Sequence, residues 1–300
     1  MTRYCVLYNP IAGRRCNQQR LATLPQRLNG HVELRPTTGP HSATAQAREA
    51  VAEGFDVIVA AGGDGTVHEV ACGILEADRR DVTLLVYPVG SANDYAHSLL
   101  VEHGEAARWP HPARLVDVGR VTGLREQEAW FLNSIGLGFS AMVTIESRAI
   151  RRLRGTLLYG VATLRAMWKH FAWQPWEVSI DDAPAEPCAA LMLSVMNGRR
   201  EGNFVLAPAA QLSDGRFEYV LAGKLSRWDI IRLLPSLAGR GPPANYPGVS
   251  TGPCQRLTVR SPQPIAAHVD GEILARPADV RFSATIELVS HRLQASVLEE

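Results

Sequence analysis

The sequence predicts a two-domain α/β protein, in which an N-terminal domain with a parallel sheet precedes a C-terminal antiparallel β-sandwich. Strand and helix patterns alternate in the first part of the chain, which is typical of a parallel sheet covered on both faces. Short strands separated by Gly and Pro turns dominate the second part, as they do in sandwiches. The length of 300 residues also fits two domains, at about 150 residues each.

Four strand–helix units make up the predicted first domain. Their strands are RYCVLYNP, HVELRPT, DVIVAA and VTLLVYPVG, and their helices cover residues 17–28, 42–53, 66–76 and 92–100. The β-branched run at residues 57–59 indicates a buried strand. We place the domain boundary at Gly123, which gives domains 1–123 and 124–300, and we allow the C-terminal tail to pack back on the first domain.

The second domain begins with the strand patterns ARLVDVGRV, which spans the region of the boundary, and AWFLNSIGLG. One helical stretch is predicted over residues 141–170 and another helix over residues 226–237. The remaining predicted strands are WEVSID, AALMLSVMNG, GRFEYVLAG, QRLTVRS, IAAHVDGE and RFSATIELV. This order of elements predicts the sandwich.

Composition excludes several classes of protein. The apolar fraction of 46% is that of a folded chain, and the net charge of +1 gives no reason to expect a nucleic-acid partner. The five Cys contain no CxxC pair, which argues against zinc or a disulfide framework and favours a reducing compartment. The N-terminus does not have the pattern of a signal peptide, and no apolar run is long enough to span a membrane. We therefore expect a cytoplasmic protein.

The stretch GGDGT, residues 62–66, follows the buried DVIVAA strand and precedes a helix. Glycines let a ligand approach the backbone, and the N-terminus of a helix favours phosphate. Ligands of open α/β sheets bind beyond the carboxyl ends of the strands. The alternative is a capping box, since Thr66 and Glu69 have its spacing. On its own the stretch leaves both interpretations open.

Two further polar loops follow strands of the same predicted sheet. NPIAG (Asn9–Gly13) follows the first strand, and PVGSANDYA (Pro88–Ala96) follows the fourth. Because the carboxyl ends of parallel strands meet at one edge, the three loops together favour a phosphate-rich ligand such as a nucleotide. The alternatives are a common Asn-Pro turn and the capping spacing of Ser91 and Asp94. No Lys or Arg lies in these loops, so backbone N–H groups and Mg²⁺ would supply the positive potential.

The chain resembles the diacylglycerol kinase catalytic family, in its soluble bacterial lipid kinase branch, which is related to sphingosine and ceramide kinases. The landmarks that carry the resemblance are NPIAG, TTGPHSA, GGDGTVHEV, PVGSANDYA, NGRREG…LAPAAQLSDGRFE and VDGE. They run in the family's order from Asn9 to Glu272. The resemblance implies a Rossmann-like N-terminal domain similar to NAD kinase and phosphofructokinase, a C-terminal β-sandwich, and an active site in the cleft between them. It also implies ATP-dependent phosphorylation of a lipid hydroxyl.

The resemblance further implies roles for individual residues. Asp64 would lie near the phosphates and act through Mg²⁺, and Glu272 would be the general base. Ser91 keeps the hydroxyl of the Thr that is usual in the family, whereas His68 replaces the usual Asn. The implied ATP site consists of Asn9, Thr37, Gly62, Gly63, Asp64, Gly65, Thr66, Ser91 and Asn93. A second, structural Mg²⁺ would be held by Asp214 and by backbone carbonyls near Gln211 and Arg216.

Plain turns remain the alternative at both acidic motifs of the second domain. Asp-Gly is a strong hairpin signal, so IAAHVDGEILARP also predicts a hairpin in which Asp270 only shapes the turn. Asp214 and Gly215 likewise fit a turn before the strand GRFEYVLAG. The role of Glu272 as a base therefore depends on the other landmarks.

Two segments suit the surface of an anionic membrane. Four Arg lie close together in residues 147–155, and three Trp accompany Lys169 in residues 167–176. Basic and aromatic residues together favour such surfaces. The alternative is a solvated helix face with core aromatics. The sequence leaves the oligomeric state open between a monomer and a homodimer.

Three functions remain to be weighed. The first is a lipid kinase that takes part in phospholipid metabolism and uses ATP with Mg²⁺. The second is a kinase of a small soluble acceptor, as in NAD kinase, and the third is a catalytically silent nucleotide-binding regulator. Intact Asp64 and Glu272 argue against the third, and the NDYA and VDGE motifs favour the first over the second. The acceptor lipid stays open, since lipid pockets consist of apolar residues that resemble core.

Overall fold

The computed structural model describes residues 1–10, 15–103, 112–124, 128–150, 152–276 and 282–298, with the backbone alone for residues 15–19 and 103. The chain divides into two compact units. The first consists of Met1–Asp117 with Ser290–Glu300, and the second of Val118–Val289. The two-domain α/β fold predicted from the sequence is confirmed.

Alternating strands and helices form the first unit. They are β1 (Arg3–Tyr8), α1 (Arg15–Arg27), β2 (His31–Pro36), α2 (Ser42–Ala52), β3 (Val57–Gly62), α3 (Asp64–Glu76), β4 (Thr83–Pro88) and α4 (Asp94–His103). β1 pairs in parallel with β2 and β3, and β3 pairs in parallel with β4. The carboxyl ends of these four strands therefore lie along one edge of the sheet.

The remaining elements begin with β5 (Arg114–Thr122), whose last residues belong to the second unit. They continue with β6 (Ala129–Phe131), β7 (Ser134–Gly138), α5 (Phe139–Arg148), α6 (Gly155–Lys169), β8 (Gln174–Ile180), β9 (Glu186–Ala190), β10 (Met192–Met196), β11 (Arg200–Glu201) and β12 (Phe204–Val205). The last elements are β13 (Phe217–Ala222), α7 (Arg227–Leu237), β14 (Val249–Cys254), β15 (Arg256–Ser261), β16 (Ala267–Val269), β17 (Glu272–Ala275) and β18 (Phe282–Val297). Residues Gln294–Val297 of β18 pair in parallel with β4 in the first unit.

Two antiparallel layers form the sandwich of the second unit. One layer has the order β14-β13-β10-β7-β16-β17, and the first half of β18 pairs with β15, which is followed by β8 and β9. Alternate residues of both layers point into a common core. Phe217 and Leu193 come from one layer and Trp176 and Leu257 from the other, and each is at most 2% exposed.

The predicted helical stretch over residues 141–170 is wrong as a single helix. The structure contains α5 and α6, which are separated by the residues around Arg154, whose backbone is extended (φ −145°, ψ 163°). Helix α3 also begins two residues before the predicted start at Thr66, since Asp64 is already helical. In the part of the chain that the structure describes, no helix is long and apolar enough to cross a membrane.

Candidate active site

The structure brings the predicted nucleotide residues of the first unit to one edge of its sheet. The Asn9 N–H donates to the Ala61 carbonyl at 3.4 Å, and the Thr37 N–H donates to the Tyr8 carbonyl at 2.8 Å. The Val89 N–H donates to the Gly62 carbonyl at 3.1 Å. These bonds hold the chain together where β1, β2, β3 and β4 end. Residues Ile11–Gly13 of the NPIAG motif lie outside the described residues.

Two glycines allow the loops after β3 and β4 to approach each other. A Cβ atom on Gly90 would overlap the Gly63 Cα atom and lie 2.7 Å from the Asn93 Oδ1 atom. A Cβ atom on Gly63 would lie 3.3 Å from the Gly90 Cα atom, a tight contact rather than an overlap. Gly62 is also restricted, since its Cβ atom would overlap the Thr66 side chain. Gly90 was not among the site residues predicted from the sequence, although its position directly after a strand pattern could have indicated a tight loop.

The Asp64 carboxylate connects the same two loops. Its Oδ2 atom accepts the Asn93 N–H at 2.9 Å, and its Oδ1 atom accepts the Tyr95 N–H at 3.3 Å. Asn93 has a positive φ of 54°, and its Oδ1 atom accepts the Gly90 N–H at 3.1 Å. The carboxylate therefore stabilises the start of α4, where backbone N–H groups lack helical partners. This contact was not anticipated from the sequence, which assigned Asp64 to metal and phosphate alone.

The capping box predicted as the alternative for GGDGT is wrong. Gly63 is the N-cap of α3 and has no side chain that could cap the helix. The Glu69 carboxylate instead accepts the His41 N–H at 2.9 Å and the Ala43 N–H at 3.1 Å, so it caps α2. The N-terminus of α3 thus keeps the dipole and N–H groups that suit an anionic ligand.

The structure shows where the side chains of Ser91 and His68, two positions singled out in the sequence, lie in the first unit. Ser91 is exposed in the loop after β4. His68 is half-buried on α3, with its Nε2 atom 3.6 Å from the Cys72 Sγ atom. The imidazole therefore contacts its own helix one turn further on, and the role that Asn has in the family stays untested at this position.

The VDGE motif is a hairpin in the second unit. Val269 of β16 pairs with Glu272 of β17, and Asp270 and Gly271 have φ values of 47° and 85°. Positive φ at both central residues is the conformation that favours Asp-Gly. The Asp270 carboxylate also accepts the N–H groups of Leu132, Asn133 and Ser134, at 2.8, 2.9 and 2.9 Å. The expectation that Asp270 only shapes the turn is therefore wrong, because it anchors the hairpin to β7 and the residues before it.

Glu272 is the first residue of β17, and its side chain is 39% exposed. The Arg148 Nη2 atom lies 2.8 Å from the Glu272 Oε2 atom and donates to the Gly271 carbonyl at 2.7 Å. Arg148 was predicted as part of a membrane-facing segment, but it holds this hairpin. The arrangement presents a carboxylate, oriented by a guanidinium, at the surface of the second unit.

At the predicted structural Mg²⁺ site, the carboxylate of Asp214 faces a guanidinium. Asp214 pairs with the Arg216 guanidinium at 2.9 Å and accepts the Arg216 N–H at 3.3 Å. Among the described residues, no group of three or more His, Cys, Asp or Glu side chains could hold a metal ion. Mg²⁺ can be held by one or two carboxylates with waters, but here the guanidinium lies against the carboxylate. The Asp214 carboxylate is thus paired with Arg216, and the ligand role of Gln211, Asp214 and Arg216 stays a prediction.

Comparison with known proteins agrees with this architecture. Residues 3–120 match the diacylglycerol kinase catalytic domain, and residues 133–289 match the YegS C-terminal NAD kinase beta sandwich-like domain. The diacylglycerol kinase of Bacillus subtilis (strain 168) is 30% identical over 91% of this chain and 90% of that protein. A probable lipid kinase, YegS-like, from Chromohalobacter salexigens is 33% identical over 64% of this chain and 61% of that protein.

A solved structure shares the fold over the whole chain. A diacylglycerol kinase from Bacillus anthracis str. Sterne has a TM-score of 0.68 at 18% identity, covering 98% of this chain and 96% of that chain. The fold and the matches define a lipid kinase with a β-sandwich domain after its catalytic domain. The chain belongs to the diacylglycerol kinase catalytic domain family. The family predicted from the sequence motifs is thereby confirmed.

Proposed function

We propose that this lipid kinase transfers the γ-phosphoryl group of ATP to the hydroxyl of a membrane lipid, with diacylglycerol as the first acceptor to test. The observation that carries the proposal is the edge of the first unit's sheet. There Asp64, Gly63 and Gly90 bring the N-terminus of α3, whose N-cap is a glycine, against the loop that carries Ser91. The names of the relatives support diacylglycerol as the acceptor.

The first unit would bind the nucleotide, which arrives as its Mg²⁺ complex. Backbone N–H groups at the start of α3 and the exposed Ser91 hydroxyl would contact the phosphates. Phosphoryl transfer requires mainly positioning and neutralisation of charge. The close approach at Gly63 and Gly90 supports this assignment, because it places the loop that carries Ser91 beside the start of α3.

The second unit would supply the base for the acceptor. The lipid hydroxyl oxygen attacks the γ-phosphorus of ATP while its proton passes to the Glu272 carboxylate. The bond from the γ-phosphorus to the bridging oxygen breaks, and ADP leaves with that electron pair. The products are ADP, the lipid phosphate and protonated Glu272, which returns its proton to solvent. The exposure of Glu272 and its orientation by Arg148 support this role.

We further propose that the second unit associates with an anionic membrane. Trp168 at the end of α6 is 85% exposed, and Trp228 at the start of α7 is 69% exposed. Arg227 donates to the Met167 carbonyl at 3.2 Å, which joins the two helices beside these rings. Arg227 is itself exposed, whereas the Lys169 Nζ atom on the same segment pairs with the Glu146 carboxylate at 3.0 Å. Exposed Trp and basic residues favour an anionic interface.

The membrane proposal moves the contact away from the Arg148–Arg154 segment predicted from the sequence. Arg148 is paired with Glu272, and Arg151 lies outside the described residues. The predicted aromatic cluster is also divided, because Trp176 is 2% exposed and belongs to the sandwich core. Trp168, by contrast, has no place in that core.

Vesicle sedimentation tests the membrane proposal. We expect Trp168→Ala with Trp228→Ala to reduce binding to vesicles that contain phosphatidylglycerol, and added salt to reduce binding of the wild type. Leu34→Ala is the control, since Leu34 is an exposed apolar residue of the first unit, 42% exposed. Unchanged binding of the Trp variant, or equal loss in the control, would remove this surface from the proposal.

The experiment that tests the function measures ATP turnover against a panel of acceptors. We expect radiolabelled phosphate to pass to diacylglycerol or another lipid hydroxyl in vesicles, with Mg²⁺ present. The panel also contains monoacylglycerol, phosphatidylglycerol, sphingosine, ceramide and NAD. Transfer to NAD alone would indicate a soluble acceptor. ATP binding without transfer to any acceptor would favour the silent regulator.

A further inference from the structure

A buried polar cluster lies behind the VDGE hairpin in the second unit. His268 of β16 is 1% exposed, and its Nδ1 atom accepts the Gly271 N–H at 3.2 Å. The opposite ring nitrogen, Nε2, lies 3.1 Å from the Ser140 Oγ atom and 3.4 Å from the Glu201 Oε1 atom. Ser140 also donates a hydrogen bond to Glu201. The cluster therefore connects buried polar groups to the backbone of the hairpin.

Two neighbours of His268 decide which ring nitrogen carries the proton. The Gly271 N–H donates to Nδ1, so the ring proton lies on Nε2, where it faces the Glu201 carboxylate. An ionised carboxylate only accepts hydrogen bonds. Burial by itself raises the pKa of the Glu201 carboxyl, but hydrogen bonds from His268, Ser140 and Ser134 hold the pKa below its ordinary value.

The sheet makes room for this ring. A Cβ atom on Gly136 of β7 would overlap both the His268 Nε2 atom and the Ser140 Oγ atom. The arrangement is not a nucleophilic triad, because the same ring nitrogen faces both the hydroxyl and the carboxylate. Ser140 is also 4% exposed, which keeps its hydroxyl from a substrate. The cluster is suited to holding a backbone conformation rather than to attacking a bond.

Hydrogen bonds rather than packing fix the turn that His268 contacts. Gly271 has a φ of 85°, and, in the part of the chain that the structure describes, no atom outside its two chain neighbours lies within 4 Å of the position that its Cβ atom would take. His268 holds the peptide group before Gly271 through its N–H, and Arg148 holds the following one through its carbonyl, at 2.7 Å. These two contacts therefore fix the backbone at Gly271, and with it the direction in which the chain enters Glu272.

We infer that His268 is a positioning residue for Glu272, acting through the Gly271 N–H, with Glu201 setting the tautomer of its ring. The inference rests on the proposed role of Glu272 as general base. A displacement of about 1 Å at a reacting group can cost about 10²-fold in rate. Loss of the His268 contact therefore lowers kcat and leaves the nucleotide site of the first unit unaffected.

Two variants test the contacts of the two His268 ring nitrogens separately. His268→Asn places an amide oxygen near the position of Nδ1 and can still accept the Gly271 N–H. His268→Gln places its amide near Nε2, so it keeps the contacts to Ser140 and Glu201 and loses the acceptor for Gly271. We expect kcat for lipid phosphorylation to fall roughly 10–100-fold in His268→Gln, with an unchanged KM for ATP, and only a few-fold in His268→Asn.

The outcomes distinguish this inference from the proposed function. If His268→Gln folds and has the kcat of the wild type while Glu272→Gln is inactive, the inference fails and the proposed base stands. If Glu272→Gln itself has near-normal kcat, the proposed base fails. In the Glu272→Gln background, we expect His268→Gln to have little further effect on kcat, because both changes act through one group. Equal loss of kcat in the Asn and Gln variants would indicate packing alone and overturn the inference.

A measurement on the wild-type protein covers the case in which the variants do not fold. Nitrogen-15 NMR of the histidine rings reports which nitrogen carries the proton. We expect His268 to be the Nε2–H tautomer, with Nδ1 unprotonated, at neutral pH. A proton on Nδ1 would exclude the bond from Gly271 and overturn the inference.

Discussion

Replacing Asp64 with Asn changes the contact between the loops after β3 and β4 with little change in shape. The Asp64 carboxylate accepts the Asn93 N–H at 2.9 Å and the Tyr95 N–H at 3.3 Å, one on each oxygen. Asn keeps one acceptor oxygen and presents an NH₂ group where the second was. Asp64→Asn therefore loses one of the two bonds, and the other becomes a bond to a neutral acceptor.

The expected cost follows from these two bonds. A hydrogen bond to a charged group contributes about 1.5–3 kcal/mol, and a neutral one about 0.5–1.5 kcal/mol. Asp64 is only partly buried, so we expect the free energy of unfolding to fall by roughly 1–3 kcal/mol. We also expect a higher KM for ATP, because the loop with Ser91 is no longer held against Gly63.

Urea unfolding and steady-state kinetics test this prediction together. Asp181→Asn is the control, since the Asp181 carboxylate of the second unit also accepts two backbone N–H groups, from Gln255 at 2.8 Å and Arg256 at 3.0 Å, but on its Oδ1 atom alone. Asn can keep both of these bonds, so we expect the control to lose less stability than Asp64→Asn and to keep its KM for ATP. If Asp64→Asn unfolds at the same urea concentration as the wild type, or keeps its KM for ATP, the reasoning is refuted.

Two further predictions concern the glycines at the loops after β3 and β4 and the half-buried Glu201 carboxyl. Gly90→Ala should raise the KM for ATP and lower the melting temperature, whereas Gly63→Ala should be milder, because only the former overlaps backbone; equal effects in thermal melting and kinetics would contradict this. For Glu201, the pKa in the folded state lies below its ordinary value, which is about 4.3 in an unfolded chain. Its stabilising contribution is therefore present above about pH 4.3 and is lost as the pH falls through the folded pKa. The difference in free energy of unfolding between wild type and Glu201→Gln should shrink below that pH, and a difference that grows there would contradict the assignment.

The sequence predicted the strands and loops of the first unit well, because each depends on local patterns. GGDGT follows a buried run and precedes a helix, and the structure has β3 and α3 there. The partner of Asp64 could not be predicted in the same way, since Asn93 lies after another strand. Likewise, no local pattern indicates that Glu69 caps α2 rather than its own helix. Such contacts depend on which strands are neighbours in the sheet.

The side-chain contacts of the second unit were harder to predict, because they also depend on segments that are distant in the sequence. Trp168 and Trp176 lie in one aromatic cluster of the sequence, yet they are 85% and 2% exposed. The chain ends a helix and starts a strand between them, so one ring faces solvent and the other the core. The contacts of Asp270 with residues 132–134 join segments far apart in sequence. An Asp-Gly signal predicts the turn but not the strand that the carboxylate holds.

Lipid phosphorylation by Glu272→Gln, with saturating ATP and Mg²⁺, tests the central claim most directly. Glu287→Gln is the control, since Glu287 also pairs with an Arg, Arg120 at 2.9 Å, in the second unit. We predict that kcat falls about 10²–10⁴-fold in Glu272→Gln, the usual contribution of a positioned acid–base group, while ATP still binds and Glu287→Gln keeps the kcat of the wild type. A folded Glu272→Gln enzyme with near-normal kcat would contradict the account and leave the lipid hydroxyl without its proposed base.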